Sequence, residues 1–333
     1  MNIESLKNRI EIKSTSDYPS IETSDFTRSS FEKFYNHFDN CKTNTNIVVP
    51  LVRCWNKNNQ DVSHFFERIS KLKRNFPEIE GLIVAINYDK DENNITENSI
   101  KEQLEKQKID LPVLPLRINE YTWTSGLNVG VALLNEIANQ KNIDKENIKF
   151  MGMSFDVEME DEEIQKMRNL SEKNRFILTI RKTTEETLPF GIDKEELWGK
   201  LKHILRKPLE SDLFELCYSM RNTLSLIKLS DLVDFGGFNP LCDGKKRGDF
   251  LIEGGMEDSE FFLKIILNAL KQGKISAMRD FKKAMENVVT YSDPSWRRAT
   301  EPKKYRKISN EVKSLVKIAN GETQKMIVED FNF

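Results

Sequence analysis

Between residues 45 and 153 the chain alternates short apolar runs with longer stretches whose apolar residues recur at helical spacing, and that alternation leaves few folds open. The runs TNIVVPLVRCW (45–55), GLIVAI (81–86), LPVLPLR (111–117) and IKFMGM (148–153) are short and nearly continuously apolar. Runs of that kind fit strands buried on both faces. Between them, 62–75 puts Phe65, Phe66, Ile69 and Leu72 on one side, 96–108 reads as a charged helix, and 130–141 carries Val131, Leu134 and Ile137 on one face. A βαβαβαβ order predicts an α/β fold with a mostly parallel, Rossmann-like sheet flanked by helices, and ligands beyond the carboxyl ends of its strands.

The pattern loosens after residue 160. An acidic helix is expected over 160–174, a strand over 176–181 (FILTIR), a helix over 193–205, and a strand over 220–228 (MRNTLSLIK) leading toward GGFNP at 236–240. A strong helix follows over 258–271. The first 44 residues read as a polar lead-in with one aromatic helix over 31–38, and the lysine-rich segment from about 301 as a helical appendage.

Composition excludes several function classes. Hydrophobic residues at 38% and charged residues at 31% describe a soluble globular chain, and a formal charge of -2 gives no electrostatic case for nucleic acid. No apolar run approaches the roughly 20 residues of a membrane helix, and the opening MNIESLKNRIEIK is too polar for a signal peptide, so a cytoplasmic protein without a transmembrane segment is expected. Cys41, Cys54, Cys217 and Cys242 lack CxxC spacing, which argues against a structural zinc site and a disulfide framework; all four read as packing residues or free thiols.

Two carboxylate stations carry the chemistry. Glu257 and Asp258, after the Gly254-Gly255 pair, head an apolar helical run, where the helix dipole favours anions and a carboxylate can take a proton from a substrate hydroxyl. As a bare dipeptide the pair reads first as an N-terminal cap with acidic first-turn residues, and the preceding GGFNP and glycine pair reverse that preference. The second station, MSFDVEM (153–159), follows the fourth strand. In an extended segment Ser154, Asp156 and Glu158 point the same way, so Asp156 and Glu158 can approach one hard cation. The alternative is a surface acidic cluster continuing into 160–163. Gly236 and Gly237 can take positive φ and admit a ligand close to the backbone, or simply make a turn.

In collinear order, IVVPLVRCWN, IVAINYDKDEN, TSGLNVGVALLNEIA, FMGMSFDVEM, RNTLSLIK, GGFNP and GGMEDSEFFLKI resemble the family-2 glycosyltransferases and their GT-A fold, across roughly residues 45–272. The resemblance implies transfer of a sugar from a nucleotide-diphosphate donor, a UDP-sugar by family habit, to a glycan or other acceptor hydroxyl, with inversion and with Mn2+ or Mg2+. It divides the chain into the lead-in 1–44, a nucleotide-sugar-binding half 45–160, an acceptor-binding and catalytic half 161–300, and a tail 301–333. Asp258 then stands as general base, with Glu257 assisting. Ser154 and Asp156 occupy the places of an Asp-X-Asp motif, Asp156 as the metal-contacting member and Glu158 two residues on. The donor would meet Pro50, Val52, Arg53, Asn87, Asp89, Asn128, Ser154, Gly236 and Gly237. Asn87 replaces an aspartate that reads uracil in the family, and Asn128 would lie near ribose or phosphates at a helix start. No histidine follows the Glu-Asp pair to serve as a third metal ligand; VTYSDPSWRR offers Asp293. Ser154 and Asn87, as departures, keep open a catalytically impaired protein that binds nucleotide or glycan. A nucleotidylyltransferase would need a glycine- and arginine-rich loop after the first strand, where RCWNKNNQ stands instead.

Overall fold

The computed structural model describes residues 21–22, 24–41, 47–54, 59–87, 97–118, 123–155, 157–172, 174, 176–177, 179–181, 224–238, 245–247, 250–253, 261 and 289–292. Its strands are β1 (Ile21–Glu22), β2 (Ile47–Cys54), β3 (Leu82–Asn87), β4 (Val113–Ile118), β5 (Ile148–Ser154), β6 (Phe176–Ile177), β7 (Thr179–Arg181), β8 (Leu224–Lys228), β9 (Lys245–Arg247), β10 (Phe250–Glu253) and β11 (Val289–Tyr291). Its helices are α1 (Asp25–His37), α2 (Asn59–Asn75), α3 (Glu97–Gln107), α4 (Trp123–Lys141), α5 (Asp161–Ser171) and α6 (Leu229–Asp234).

The central sheet has seven strands in the order β1-β4-β3-β2-β5-β8-β6. The neighbours β4, β3, β2 and β5 run parallel, while β1 on one side and β8 on the other run antiparallel to them. The expected Rossmann-like, mostly parallel sheet flanked by helices is therefore present. Small ladders join β9 to β10 and β7 to β11.

Alternation along the strands decides which helix each side chain meets. Val48 and Val52 of β2, with Val84 and Ile86 of β3, join Phe65, Phe66, Ile69 and Leu72 of α2 and Met167 of α5 in one core, each at most 3% exposed. On the other face α4 crosses the sheet so closely that a Cβ on Gly130 would lie 2.0 Å from Leu51 Cδ1. Burying each large apolar side chain contributes about 1.5–3 kcal/mol, so the two filled faces hold the strand ends in place.

Several expectations are corrected. The aromatic helix expected over 31–38 is α1, which starts at Asp25 with Ser24 accepting the Thr27 N–H at 3.1 Å as its cap. Phe31 and Phe34 are fully buried, so this helix belongs to the core, and β1 just before it adds an edge to β4. The 176–181 run is two strands in different sheets, β6 on β8 and β7 on β11. β8 is followed not by a loop but by α6. The helices expected over 193–205 and 258–271 and the tail from 301 lie outside the described residues, except Phe261, which is helical.

One lysine is poorly placed. Lys149 on β5 is 3% exposed and lies directly opposite Lys228 on β8. Burial first, then the Lys228 ammonium, pushes it down to about 8. The unfolded chain holds this proton up to the ordinary lysine value, so the penalty is complete below pH 8 and disappears as pH rises from about 8 toward 10.5. Lys149→Met should raise stability at pH 7 by about 1–3 kcal/mol and flatten the rise in stability across that window, as measured by urea unfolding at pH 7 and pH 9.5.

Candidate functional site

The parallel strands β2, β3, β4 and β5 end together at Cys54, Asn87, Ile118 and Ser154. Their register sets Arg53 between Ala85 and Ser154, and Asn87 beside Ile118. Three of the residues expected at the donor, Arg53, Asn87 and Ser154, therefore share one edge of the sheet. Pro50 and Val52 do not reach it. Pro50 is buried in mid-strand opposite Met151, and Val52 is fully buried in the core under α2. A side chain enclosed by that core has no surface left for a nucleotide.

Beyond Ser154 the chain does not continue as a simple strand. It turns at Phe155, with the Val157 N–H donating to the Ser154 carbonyl at 3.2 Å. Phe155 and Val157 enter the core, Phe155 stacking on Phe65 at 4.7 Å. Two cations of α2 strap the segment down: Arg68 donates to the Phe155 carbonyl at 2.9 Å and pairs with Glu158 at 3.0 Å, and Lys71 donates to the Met159 carbonyl at 2.9 Å and lies 3.3 Å from the Asp161 carboxylate. These groups line a groove of about 580 Å³ between α2 and the 157–160 stretch. From the other side, Glu158 and Ser292 exchange backbone hydrogen bonds at 2.9 and 2.7 Å, and Thr290 donates its N–H to Glu163 at 3.0 Å.

Of the expected cation ligands, Asp156 lies outside the described residues and Glu158 is turned toward α2. Glu158 is held by Arg68, whereas Ser154, on the same side of β5 as Gly152 and Phe150, has a buried Oγ with no hydrogen-bond partner among the described residues. A buried, unpaired hydroxyl costs about 1–3 kcal/mol and marks a place where a ligand atom would be welcome.

Asn128 has a role the sequence did not disclose. α4 begins at Trp123, so Asn128 lies in its second turn rather than at a helix start, and its N–H is no free anion site. Its amide Nδ2 donates to the Phe238 carbonyl at 2.7 Å while Oδ1 accepts the Phe238 N–H at 2.8 Å, a closed pair across 110 residues in a buried position. The partner loop leaves α6 through a Schellman turn: Gly236 donates to Val233 at 3.0 Å and Gly237 to Leu232 at 2.8 Å, with φ of +74° and +73°. The positive φ expected of both glycines is present. At Gly237 a Cβ would lie 2.6 Å from Asn128 Oδ1, so only glycine permits the clamp.

The clamp adjoins two further blocks. A Cβ on Gly152 would meet Leu127 at 3.4 Å, which sets the clamp beside the end of β5. Phe238 packs against Phe261 at 4.8 Å, and Phe261 stands three residues after Asp258. Asp89, Asp156, Glu257, Asp258 and Asp293 lie outside the described residues. Sequence reasoning missed Arg68 and Lys71; the signal available was cations one helical turn apart in a chain that also carries the acidic run 158–163.

No family model matches the chain, and no curated protein matches it. Among solved structures it is similar to a mycobacterial protein (8% identity, 89% of this chain and 76% of that one, TM-score 0.40). It is also similar to glucosyl-3-phosphoglycerate synthase from Mycobacterium tuberculosis in complex with Mn2+, uridine diphosphate and phosphoglyceric acid (7% identity, 90% of this chain and 84% of that one, TM-score 0.38). The same synthase with uridine diphosphate gives 6% identity over 88% of this chain and 84% of that one, with a TM-score of 0.36. The architecture is accordingly read from the strand order and register themselves.

The clamp gives a direct test. Asn128→Ala should cost about 2–4 kcal/mol because both polar groups of Phe238 lose a buried partner. Gly237→Ala should cost a similar amount, through its positive φ and the collision with Oδ1. Urea unfolding of the two single variants and the double should give a double-variant loss well below the sum, since either change breaks the same contact.

Proposed function

We propose that this chain transfers a sugar from a nucleotide diphosphate, UDP-sugars before others, to an acceptor hydroxyl, with inversion and with the help of Mn2+ or Mg2+. The observation that carries the reading is the meeting of distant motif blocks at the carboxyl end of the parallel strands. Ser154, the two halves of the Asn128–Phe238 clamp, Phe261 and Ser292 come from five separate stretches of sequence and gather around the end of β5. Three residues of chain span at most about 11 Å, which keeps Asp258 within a sugar's reach of Phe261, and Asp293 directly follows Ser292.

In this reading Asp258 accepts the proton of the acceptor hydroxyl as its oxygen attacks the anomeric carbon from the face opposite the leaving diphosphate, and Glu257 orients the acceptor. Arg53 and Asn87 sit at strand ends where a nucleotide would lie, with Asp89 in the loop beyond. The oxygen donors at 154–158 suit a hard cation in chemical type: Asp156 and the unpaired Ser154 hydroxyl would hold it, and Glu158 only on release from Arg68. Such a cation supplies neutralisation of the charge that develops on the departing diphosphate.

A second reading, binding without turnover, is favoured by one observation. The motif has a serine at 154, and its nearest described carboxylate, Glu158, is committed to Arg68.

A thermal-shift panel of nucleoside diphosphates and their sugars, with and without Mn2+, separates these readings from no binding at all; saturation at about 100 times Kd should stabilise the fold by about 2.7 kcal/mol. Release of nucleoside diphosphate in the presence of acceptors then separates turnover from binding. Asp258→Asn should lower that turnover by about 10²–10⁴-fold with donor binding retained. Undiminished turnover in this variant removes Asp258 from the mechanism, and no shift with any donor removes the reading.

A further inference from the structure

At the opposite, amino end of the sheet, three side chains of different chemistry converge: the His37 imidazole, the Cys41 thiol and the Glu80 carboxylate, with one ligand atom of each within 4.8 Å of the others. The fold builds this meeting from two fixed backbones. Phe34 of α1 lies over Gly81, where a Cβ would come 2.5 Å from the ring, so α1 rests directly on the chain entering β3. One turn on, His37 Nε2 reaches Glu80 Oε2 at 2.9 Å. Glu80 itself is held by its N–H donating to the Val48 carbonyl at 3.0 Å. After His37 a tight turn over Phe38–Asn40, anchored by buried Phe38, swings Cys41 back until its thiol reaches the His37 carbonyl at 3.9 Å.

From this arrangement the geometry points to a divalent metal site, of the kind that takes Zn2+, with His37, Cys41 and Glu80 as ligands and a fourth position for water. One sulfur, one nitrogen and one oxygen donor form the mixed set that zinc accepts and that harder cations such as Mn2+ and Mg2+ do not favour. Bond lengths near 2.0–2.3 Å in a tetrahedron place donor atoms about 3.3–3.8 Å apart, so the widest separation needs to close by about 1 Å while the 2.9 Å contact of His37 and Glu80 opens slightly. His37 and Glu80 keep 35% and 27% of their side-chain surface exposed, which leaves an entry path.

The neighbouring Lys73 ammonium is bound to the carbonyls of Pro77 and Ile79. Bound metal would tie α1 to the start of β3. The strand's length, about 20 Å, separates it from the candidate site at Ser154. The proposal therefore does not depend on sugar transfer.

Metal-free protein titrated with Co2+ should take up one equivalent into a site with the strong visible bands of tetrahedral cobalt and a thiolate-to-cobalt charge-transfer band in the near ultraviolet. Zn2+ should displace the cobalt and raise Tm. Cys41→Ser should abolish the charge-transfer band, and Glu80→Gln should weaken Zn2+ binding at least tenfold while far-ultraviolet circular dichroism stays unchanged. A charge-transfer band that persists in Cys41→Ser, or the absence of any thiolate band in the parent protein, overturns the assignment.

Discussion

The amide of Asn128 and the peptide of Phe238 form the contact on which the candidate site depends. An asparagine side chain can satisfy a peptide N–H and a carbonyl at once, and in a buried position neither peptide group has water as an alternative. The geometry is available only because the preceding residue is a glycine at positive φ whose missing Cβ leaves room for Oδ1. That glycine is in turn placed by the Schellman turn that ends α6. A helix end, a pair of glycines and one amide on another helix thus form a single device, which fixes Phe238 and, through ring packing, Phe261. Phe261, three residues after Asp258 in the sequence, is anchored by this route.

A second device acts on the other side of β5. Arg68 and Lys71 donate to backbone carbonyls as well as to carboxylates, so they hold the 155–161 segment by its main chain. Exposed ion pairs contribute little by themselves. Backbone capture in a groove with Phe155 packed beneath it fixes the course of the segment more firmly than the charges do. The consequence is a division of labour: Glu158 serves the scaffold, while the buried hydroxyl of Ser154 finds no partner among the described residues.

The fold was legible wherever one periodicity dominated. The strands β2, β3, β4 and β5 and the helices α2, α3 and α5 follow from apolar runs and helical spacing because both faces of the sheet are covered and each face demands its own residues. Legibility failed where a glycine had two meanings. Gly126 and Gly130 look like helix breakers, yet they lie inside α4, and at Gly130 the absence of a side chain is what lets the helix approach Leu51. Gly236 and Gly237 were read as a turn near a ligand and are also the stop signal of α6, a helix too short to show a period of its own. The site was legible as a set of blocks but not as a set of contacts. No local pattern in TSGLNVG says that its asparagine will bond a peptide 110 residues away, and nothing in MSFDVEM distinguishes a carboxylate aimed at a cation from one aimed at an arginine of α2.

The two ends of the sheet illustrate how burial sorts polar groups. At the amino end, charges meet in pairs: Arg168 grips Glu78 through both Nε and Nη2 at 2.6–2.9 Å, which raises the arginine's pKa further, and Lys228 binds Glu146 at 2.8 Å. Lys149 is the exception, buried against a like charge. Toward the carboxyl end Asn128 bonds backbone, Arg68 and Lys71 divide their donors between backbone carbonyls and the carboxylates of Glu158 and Asp161, and Ser154 finds no partner among the described residues. Paired charges close a surface. In an open α/β fold the ionisable groups of a site come from the loops beyond the strands, and in this sequence Asp89 follows β3 and Asp156 follows β5. In a parallel sheet such loops can change without disturbing the covered strands, so any chemistry placed there would be decided by residues that contribute least to the fold.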